Sequence, residues 1–273
     1  MARPLRLMAI MAHPDDEALG NGGMLARYAE EGIRISLLTA TRGERGWPGD
    51  PQAYPGLEAL GRQREDELLD AVGVLSIRYV DFLGYIDGEL DQAHPAEAIG
   101  KIVGHIRHVR PDVVVTFGPD GIYGHPDHIA ISQFATAAVI EAANAASPYY
   151  QSLPAHRVAK FYYMVATQGL LDAYQAVFGD MVMHIDEQPR SGVAWPEWAV
   201  TTKINIAGYW PTALQAIACH RTQLPLYATL EHKLALLSEE QRQELCHVQR
   251  YYRVFSQVNG GRHVEDDLFE GLR

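Results

Sequence analysis

Two short segments of the sequence concentrate imidazole and carboxylate side chains. They are His13-Pro14-Asp15-Asp16-Glu17 and Tyr123-Gly124-His125-Pro126-Asp127-His128. Each segment places two of these groups three positions apart, and a turn that enters a helix puts both members of such a pair on one side. Imidazoles and carboxylates bind metal ions and exchange protons, so the two segments are the leading candidates for a functional site.

The residue types in these segments fit a catalytic metal site. Two imidazole nitrogens and one carboxylate, with a fourth position left to water, are a ligand set of catalytic zinc. We expect His13, Asp16 and His128 to bind one Zn²⁺ per chain, although Fe²⁺ or Co²⁺ would fit the same donors. A metal ion lowers the pKa of a water that it binds to about 7. The adjacent Asp15 would therefore act as general base.

The remaining groups of the second segment have roles that follow from their chemistry. His125 is a spare imidazole, which as a cation would stabilise a developing oxyanion or protonate a leaving amine. Asp127 is expected to hydrogen-bond that ring and fix its orientation.

The predicted elements place both segments at one edge of a sheet. Strand-like apolar runs cover 6–12, 33–39, 77–82 and 112–117, and helix-like stretches cover 17–31, 58–72, 95–109 and 128–145. This alternation predicts an α/β fold with a Rossmann-like, mostly parallel sheet flanked by helices. The segments follow the first and the fourth of these strands, so they face each other across a crevice if those two strands are neighbours.

The second half of the chain carries weaker signals. Strands are predicted over 161–166 and 181–185, and a helix over 212–222. Ser238-Glu239-Glu240-Gln241 fits a capping box that opens a helix to about Phe255. We predict a single domain over 1–273, in which 1–145 form the core that carries both segments. The remainder, 146–273, is predicted to be a C-terminal strand and helix elaboration that completes the pocket.

Composition excludes several classes of function. The 273 residues are 47% hydrophobic and 21% charged, with a net charge of -11. This acidity argues against nucleic-acid binding and against docking on an anionic membrane. Apolar runs fall short of the ~20 residues of a membrane span, and the two cysteines form no C-x-x-C motif. We therefore expect a cytoplasmic protein with reduced thiols. The sequence does not decide whether the chain forms a homo-oligomer.

Other features of the sequence are given less weight. Gly20-Asn21-Gly22-Gly23 does not complete a dinucleotide-binding G-x-G-x-x-G motif. His105 and His108 share one helix face and are interpreted as surface residues. Trp47 and Tyr54 lie in a loop rich in proline and glycine, where they either cover a sugar or pack against the protein or a neighbouring subunit.

The two segments also resemble a known family. Ala12–Glu17 and Gly124–His128 are similar to the two signature motifs of the PIG-L/LmbE-like zinc-dependent N-deacetylases, which include mycothiol- and bacillithiol-pathway deacetylases. The resemblance extends to 41–44, 64–67, 82–85 and 218–223, and so covers most of the chain. Members of this family remove acetyl groups from compounds that contain N-acetylglucosamine.

The resemblance implies a role for each matching residue. His13, Asp16 and His128 match the metal ligands, and Asp15 matches the general base. His125 matches the residue that stabilises the tetrahedral intermediate, with Asp127 orienting it and Tyr123 also contacting the oxyanion. Glu44, Arg64 and Asp87 match, by the positions of their loops only, residues that bind the sugar in some mycothiol-pathway members.

These observations predict zinc-dependent hydrolysis of the N-acetyl group of an N-acetylglucosamine-containing small molecule. The sequence leaves open whether Asp15 or His125 protonates the departing amine. An alternative is an amidase, similar to mycothiol S-conjugate amidase, that removes a larger acyl group. A further alternative is a non-catalytic, metal-containing sugar-binding protein, against which the unliganded Asp15 counts.

Overall fold

The computed structural model of this chain describes residues 3–149, 152–179, 182–185, 188–223, 230–259, 261 and 263–273. In the first part of the chain, strands alternate with helices. The elements are β1 (Arg6–Met11), α1 (Asp16–Glu30), β2 (Arg34–Thr41), α2 (Leu57–Val74), β3 (Tyr79–Tyr85), α3 (Pro95–Val109), β4 (Val113–Phe117), α4 (Pro126–Ala142) and β5 (Lys160–Met164).

The second part of the chain mixes shorter elements. They are α5 (Gln168–Phe178), β6 (Val182–Ile185), β7 (Gln188–Ser191), β8 (Thr202–Asn205), α6 (Trp210–Cys219), α7 (Leu230–Leu236), α8 (Glu239–Cys246) and β9 (Val248–Ser256). Single helical turns occur at Gly121–Gly124, Pro51–Ala53, Leu90–Gln92, Glu197–Ala199 and Arg221–Gln223.

Within the described residues, seven strands form one sheet in the order β3-β2-β1-β4-β5-β9-β8. The first five strands of this order are parallel, and β9 pairs antiparallel with both β5 and β8. The predicted Rossmann-like, mostly parallel α/β sheet is therefore confirmed. β1 and β4 are neighbours, with Leu7 opposite Val113, so the crevice beyond their carboxyl ends lies at the point where strand order reverses.

The central strands form because their side chains are buried on both faces. Every residue of β4 is buried, and in β1 only Arg6 is partly exposed. Continuous apolar runs of this kind are typical of parallel strands covered by helices on both sides. α1 and α2 pack against α6, and α3 packs against α4, so the carboxyl ends of β1 and β4 are held in a rigid frame.

The predicted helix from Ser238 to about Phe255 is wrong in its second half. The capping box is present, because Ser238 and Gln241 exchange hydrogen bonds between side chain and backbone. The helix α8 nevertheless ends at Cys246, and the aromatic and β-branched run after it forms β9. Pairing with β5 and β8 outweighs the local helix signal because it completes the sheet.

Four further elements lie in segments where the sequence predicts none. They are α5, β7, β8 and α7. The predicted strand over 181–185 is confirmed for Val182–Ile185, whereas Met181 lies outside the described residues.

None of the helices in the described parts of the chain combines the length and apolar character needed to cross a bilayer. Cys219 and Cys246 are both free thiols, and they lie on different helices, α6 and α8. The second half of the chain is therefore held to the sheet by packing and hydrogen bonds rather than by a disulfide between them.

Candidate metal centre and active site

Three potential metal ligands converge where β1 and β4 end. His13 Nδ1 lies 3.2 Å from His128 Nε2 and 3.7 Å from Asp16 Oδ2, and His128 Nε2 lies 3.5 Å from Asp16 Oδ1. A tetrahedral site with bonds of roughly 2.0–2.1 Å has ligand atoms about 3.3 Å apart. The three side chains are buried, and their spacing fits a divalent metal ion.

The protonation of the two imidazoles also fits a cation. His13 Nε2 lies 3.1 Å from a carboxylate oxygen of Asp127 and 3.1 Å from one of Asp87, so this nitrogen is the donor. His128 Nδ1 faces the carbonyl oxygen of Gly121 at 3.3 Å and is a donor as well. In the neutral rings, the two nitrogens that face each other therefore both carry lone pairs. A proton on His13 Nδ1, which the raised pKa of His13 favours, or a metal ion between the two nitrogens would satisfy both of them.

The carboxylates behind His13 make it a stronger ligand. Burial lowers the pKa of His13, but hydrogen bonds to Asp127 and Asp87 raise it well above its ordinary value. A more basic imidazole binds a metal ion more tightly, and carboxylate–histidine pairs of this kind also fix the orientation of the ring. Asp127 is itself held by the backbone N–H groups of Gly88 and Leu90, which donate to its two oxygens.

Asp15 stands beside this centre in an unusual backbone conformation. It is the residue that precedes α1, with φ 105° and ψ -24°, a region that residues other than glycine rarely adopt. Such strain is concentrated at functional sites. Burial raises the pKa of Asp15 to about 6, although the nearby Arg64 lowers it. A carboxylate with that pKa is ionised near neutral pH and is a stronger base than an exposed aspartate.

Arg64 holds the turn that contains Asp15. Its Nη2 donates to the carbonyl oxygen of Pro14 at 2.5 Å and lies 3.1 Å from Asp15 Oδ2. Its Nη1 donates to the carbonyl oxygen of Gly43 at 3.0 Å. The guanidinium thereby links α2 to the loops that follow β1 and β2, and it fixes the position of the Asp15 carboxylate.

A buried ion pair supports the same turn from the other side. Glu17 Oε1 lies 2.7 Å from His220 Nε2, and both side chains are fully buried. The other oxygen, Glu17 Oε2, accepts the backbone N–H of Asp15 at 3.0 Å. Burial lowers the pKa of His220, but the charge of Glu17 raises it above its ordinary value. The sequence motif contained Glu17, yet its partner is 203 residues away.

His125 differs from its expected state. Burial, followed by the neighbouring His13 and His128, lowers the pKa of His125 to about 3, so the ring is neutral rather than cationic near neutral pH. Its Nδ1 accepts the backbone N–H of Asp127 at 3.1 Å, which leaves the proton on Nε2. His125 is therefore a neutral hydrogen-bond donor.

Asp127 and Tyr123 both lie next to the imidazole rings of the candidate site. The Asp127 side chain contacts His13, Gly88 and Leu90, and only its backbone N–H fixes His125. The Tyr123 ring lies 5.4 Å from the ring of His128, edge to face. Burial raises the pKa of Tyr123, so its hydroxyl stays protonated and can donate.

One pocket of about 330 Å³ contains these groups. Its lining includes nine polar or charged residues: His13, Asp15, Asp16, Arg64, Asp87, Tyr123, His125, His128 and Gln223. Gln223 donates to the carbonyl oxygen of Gly46 at 2.7 Å. The other lining residues are mostly apolar: Leu19, Gly20, Gly46, Phe117, Ile122, Met164, Tyr174 and Phe178.

The pocket lining does not include Asp127, Glu44, Tyr54 or Trp47, all of which are candidates from the sequence. The carboxylate of Glu44 accepts the backbone N–H of Asp87 at 3.2 Å, so it positions that residue. Tyr54 donates to the carbonyl oxygen of Glu44, and Trp47 donates to that of Asp50. Both aromatic residues are thus hydrogen-bonded to the backbone of their own loop.

Sequence reasoning assigned no role to the apolar lining residues from β5 and α5. Met164 ends β5, and Tyr174 and Phe178 lie on α5, a helix that the sequence did not predict. The spacing of Tyr174 and Phe178, four positions apart, was the available signal, because such residues share one helix face.

Solved structures of low sequence identity share this fold. An N,N'-diacetylchitobiose deacetylase from Pyrococcus horikoshii superposes with a TM-score of 0.68 at 16% identity, over 91% of this chain and 83% of the other. The 4-carboxy-2-hydroxymuconate hydratase GalB from Pseudomonas putida KT2440 superposes with a TM-score of 0.67 at 18% identity, over 94% and 99%. Proteins of this fold therefore include enzymes named for different reactions.

Sequence relatives are more specific. A 1D-myo-inositol 2-acetamido-2-deoxy-alpha-D-glucopyranoside deacetylase from Kineococcus radiotolerans is 33% identical, over 99% of this chain and 84% of the relative. A protein of the same name from Streptomyces avermitilis is 34% identical, over 98% and 97%. The family model PIG-L, described as GlcNAc-PI de-N-acetylase, matches residues 8–139, which contain all three candidate metal ligands and Asp15. The chain belongs to the PIG-L family.

Proposed function

We propose that this chain hydrolyses the N-acetyl group of an N-acetylglucosamine-containing small molecule with a bound divalent metal ion, in the first place Zn²⁺. The observation that carries the proposal is the unliganded Asp15 carboxylate beside a three-donor metal centre in the same pocket. The names of the relatives, deacetylases of an amino sugar joined to inositol, support the substrate class. Since the fold also occurs in a hydratase, the site residues must carry the argument.

His13, Asp16 and His128 would hold the metal ion. When bound, it supplies Lewis-acid chemistry, polarising the amide carbonyl and making water easier to deprotonate. The carboxylate of Asp15 then accepts a proton from the water that attacks the carbonyl carbon. With a pKa of about 6, this group is largely ionised at pH 7 and still close enough to that pH to accept and return a proton.

The neutral His125 suits the oxyanion rather than the leaving amine. Its Nδ1 is occupied by the backbone N–H of Asp127, so its Nε2–H is free to donate a hydrogen bond to the developing negative charge. The hydroxyl of Tyr123 is proposed to donate to the same oxygen. Asp15, having taken the proton from water, is then the group that passes it to the departing nitrogen.

Arg64 and Asp87 line the polar side of the pocket and are proposed to contact the sugar hydroxyls. Both are already tied to the site, Arg64 through Pro14 and Asp15 and Asp87 through His13. Substrate contacts made by these two residues would therefore align the sugar directly with the reacting groups. Glu44 is proposed to act indirectly, by holding the backbone of Asp87.

The test is release of free amine from N-acetylglucosaminylinositol by the zinc-loaded protein, with the metal content measured on the same sample. Replacing Asp15 by Asn keeps the shape and removes the base, so we expect kcat to fall by about 10²–10⁴-fold with zinc content unchanged. The matched control is Asp66→Asn, which changes an exposed carboxylate on α2. Near-normal turnover by Asp15→Asn, or loss of zinc from it, would contradict the proposed role.

A further inference from the structure

The lining of the pocket contains two kinds of side chain. Its charged residues are Asp15, Asp16, Arg64 and Asp87. Asp15 and Asp16 lie in the first motif, Arg64 contacts Asp15, and Asp87 contacts His13, so the charges gather at the candidate metal centre. Four apolar or aromatic residues of the same lining are Leu19 from α1, Met164 from the end of β5, and Tyr174 and Phe178 from α5. These four residues are called the apolar wall. A substrate whose acetyl group lies at the candidate metal centre would have its remaining parts available to contact this wall.

The two aromatic residues of the apolar wall form a supported surface. Tyr174 and Phe178 lie one helical turn apart on α5, with ring centroids 5.8 Å apart. Both are half-buried, and behind them they pack against a second apolar cluster of the protein. Its buried members are Ala173, Val177, Leu234, Leu237, Leu245 and Cys246. The rings are therefore held in place by the core while part of each faces the pocket.

Met164 also belongs to the apolar wall, and it is tightly packed against α1. The amide of Asn21 donates to its sulfur at 3.4 Å. A Cβ atom at Gly20 would overlap the terminal methyl of Met164, so the thioether lies directly against the backbone of α1. A polarisable thioether beside aromatic rings is a surface that favours apolar and aromatic groups.

The apolar wall offers little to a hydroxyl-rich ligand. Its one polar group is the Tyr174 hydroxyl, which makes no hydrogen bond to any residue in the described parts of the chain. Burial raises the pKa of Tyr174 to about 12, so it stays neutral. Hydroxyl groups placed against the other three side chains would lose their water without gaining partners, which is unfavourable. An aromatic or alkyl group would instead pack on the rings and release water.

We propose that the apolar wall binds the group attached to the amino sugar, and that this group is an aryl or alkyl aglycone rather than a polyol. The proposal rests on the proposed deacetylase function and names the substrate class of the same site. It separates this chain from the relatives whose names specify an inositol conjugate.

The experiment compares three substrates of the zinc-loaded protein by amine release: 4-nitrophenyl N-acetyl-α-glucosaminide, N-acetylglucosaminylinositol and free N-acetylglucosamine. We expect kcat/KM for the aryl glycoside to exceed both others by about ten-fold or more. A value for the inositol conjugate equal to or above that of the aryl glycoside would overturn the proposal.

Variants of Phe178 test whether the apolar wall causes the preference for the aryl glycoside. Phe178→Ala is expected to reduce the ratio of kcat/KM for the aryl glycoside over free N-acetylglucosamine by about ten-fold, mainly through KM. Phe178→Leu, which preserves packing against the second cluster, is expected to lower the ratio less and serves if the alanine variant does not fold. The control is Trp198→Ala, since that ring is 86% exposed and lies outside the pocket lining. Equal losses on all three substrates would assign Phe178 a structural role and overturn the proposal.

A binding measurement separates this proposal from the proposed function. If none of the three compounds releases an amine, the deacetylase function fails. Calorimetric titration with 4-nitrophenyl glucosaminide and with glucosamine then still tests the wall. Affinity about ten-fold higher for the aryl compound supports it, and equal affinities overturn it.

Discussion

Asp15 illustrates how a single residue is prepared for chemistry by its surroundings. A non-glycine residue with φ near 105° persists only where neighbours hold it, because the conformation itself is unfavourable. Here Arg64 donates hydrogen bonds to the carbonyl oxygen of Pro14 and to the carboxylate of Asp15, while the Glu17 carboxylate accepts the backbone N–H of Asp15. The carboxylate is thereby kept beside the proposed metal ligands.

At the same scale, the Glu17–His220 pair is expected to matter for both stability and turnover. In His220→Ala the Glu17 carboxylate is left buried without its partner, which costs about 3–5 kcal/mol of unfolding free energy. His220→Gln retains an N–H donor and should recover part of that loss. Urea unfolding measures both variants, and amine release measures kcat. A loss below about 1 kcal/mol in the alanine variant would show that the pair is not important for stability.

Among the elements, the loop after β2 is expected to act on the site through Arg64. Gly43 has φ +69°, and a Cβ atom there would overlap the guanidinium of Arg64. Gly43→Ala should therefore displace Arg64 from Asp15 and lower kcat by about ten-fold or more. Gly56→Ala is the matched control, because Gly56 also has a positive φ but no atom within 4 Å of the added methyl group. Equal effects of the two variants on kcat would point to backbone strain alone.

The strands at the far side of the sheet depend on a buried carboxylate. Glu265 accepts hydrogen bonds from Lys160 on β5, Thr202 on β8 and Arg253 on β9. Burial by itself would raise the pKa of Glu265, but hydrogen bonds, with that from Lys160 first, lower it to about 2 from an ordinary value of 4.5. The charged form is thus favoured in the folded protein.

This shift predicts how stability depends on pH. A lowered pKa contributes stability that is present above pH 4.5 and is lost as the pH falls toward about 2. The contribution is at most about 3 kcal/mol. Glu265→Gln should therefore be less stable than the wild type at pH 7, with the two converging below pH 4.5. The measurement is urea unfolding as a function of pH, with the exposed Glu240→Gln as control. A gap that stays constant with pH would contradict the assignment.

The elements also show which parts of the fold were predictable from sequence. β1 and β4 are almost entirely apolar, and β2 is rich in aliphatic and β-branched residues. Glycine or proline lies near each strand, so local signals suffice for them. β9 follows a correct capping box, and its identity as a strand depends on β5, which lies about 90 residues earlier in the chain. The local preference of this segment for a helix is weaker than the stabilisation from pairing with β5. The sequence contains no direct sign of which strand β9 will pair with.

The candidate site divides in the same way. His13, Asp16 and His128 were found because each lies in a compact motif directly after a strand. The apolar wall and His220 were not assigned, because they come from distant segments whose approach depends on how the second half of the chain packs. The neutral state of His125 also needed the structure, since it follows from burial and from the backbone N–H of Asp127.

For the whole molecule, metal removal is expected to lower thermal stability. The three proposed ligands come from the ends of β1 and β4, so an ion that they bind only in the folded chain would stabilise it. At a thousand times its Kd this amounts to about 4 kcal/mol, or a rise in Tm of about 10 °C for a chain of this size. Calorimetric scans with zinc and with a chelator measure the difference. In His13→Ala, the Tm should be the same with zinc and with chelator. A wild-type Tm that does not change when the chelator is added would argue against the metal centre.

The distance in sequence between the two ligand motifs has a consequence for synthesis of the protein. His13 and His128 are 115 residues apart, and their ring nitrogens meet only after β4 has paired with β1. While a nascent chain emerges, His13 and Asp16 are available long before the third ligand is made. Because an incomplete ligand set binds a metal ion weakly, loading of the proposed site is expected only after β4 has inserted into the centre of the sheet. Metal uptake during translation would thus report that the central sheet has assembled.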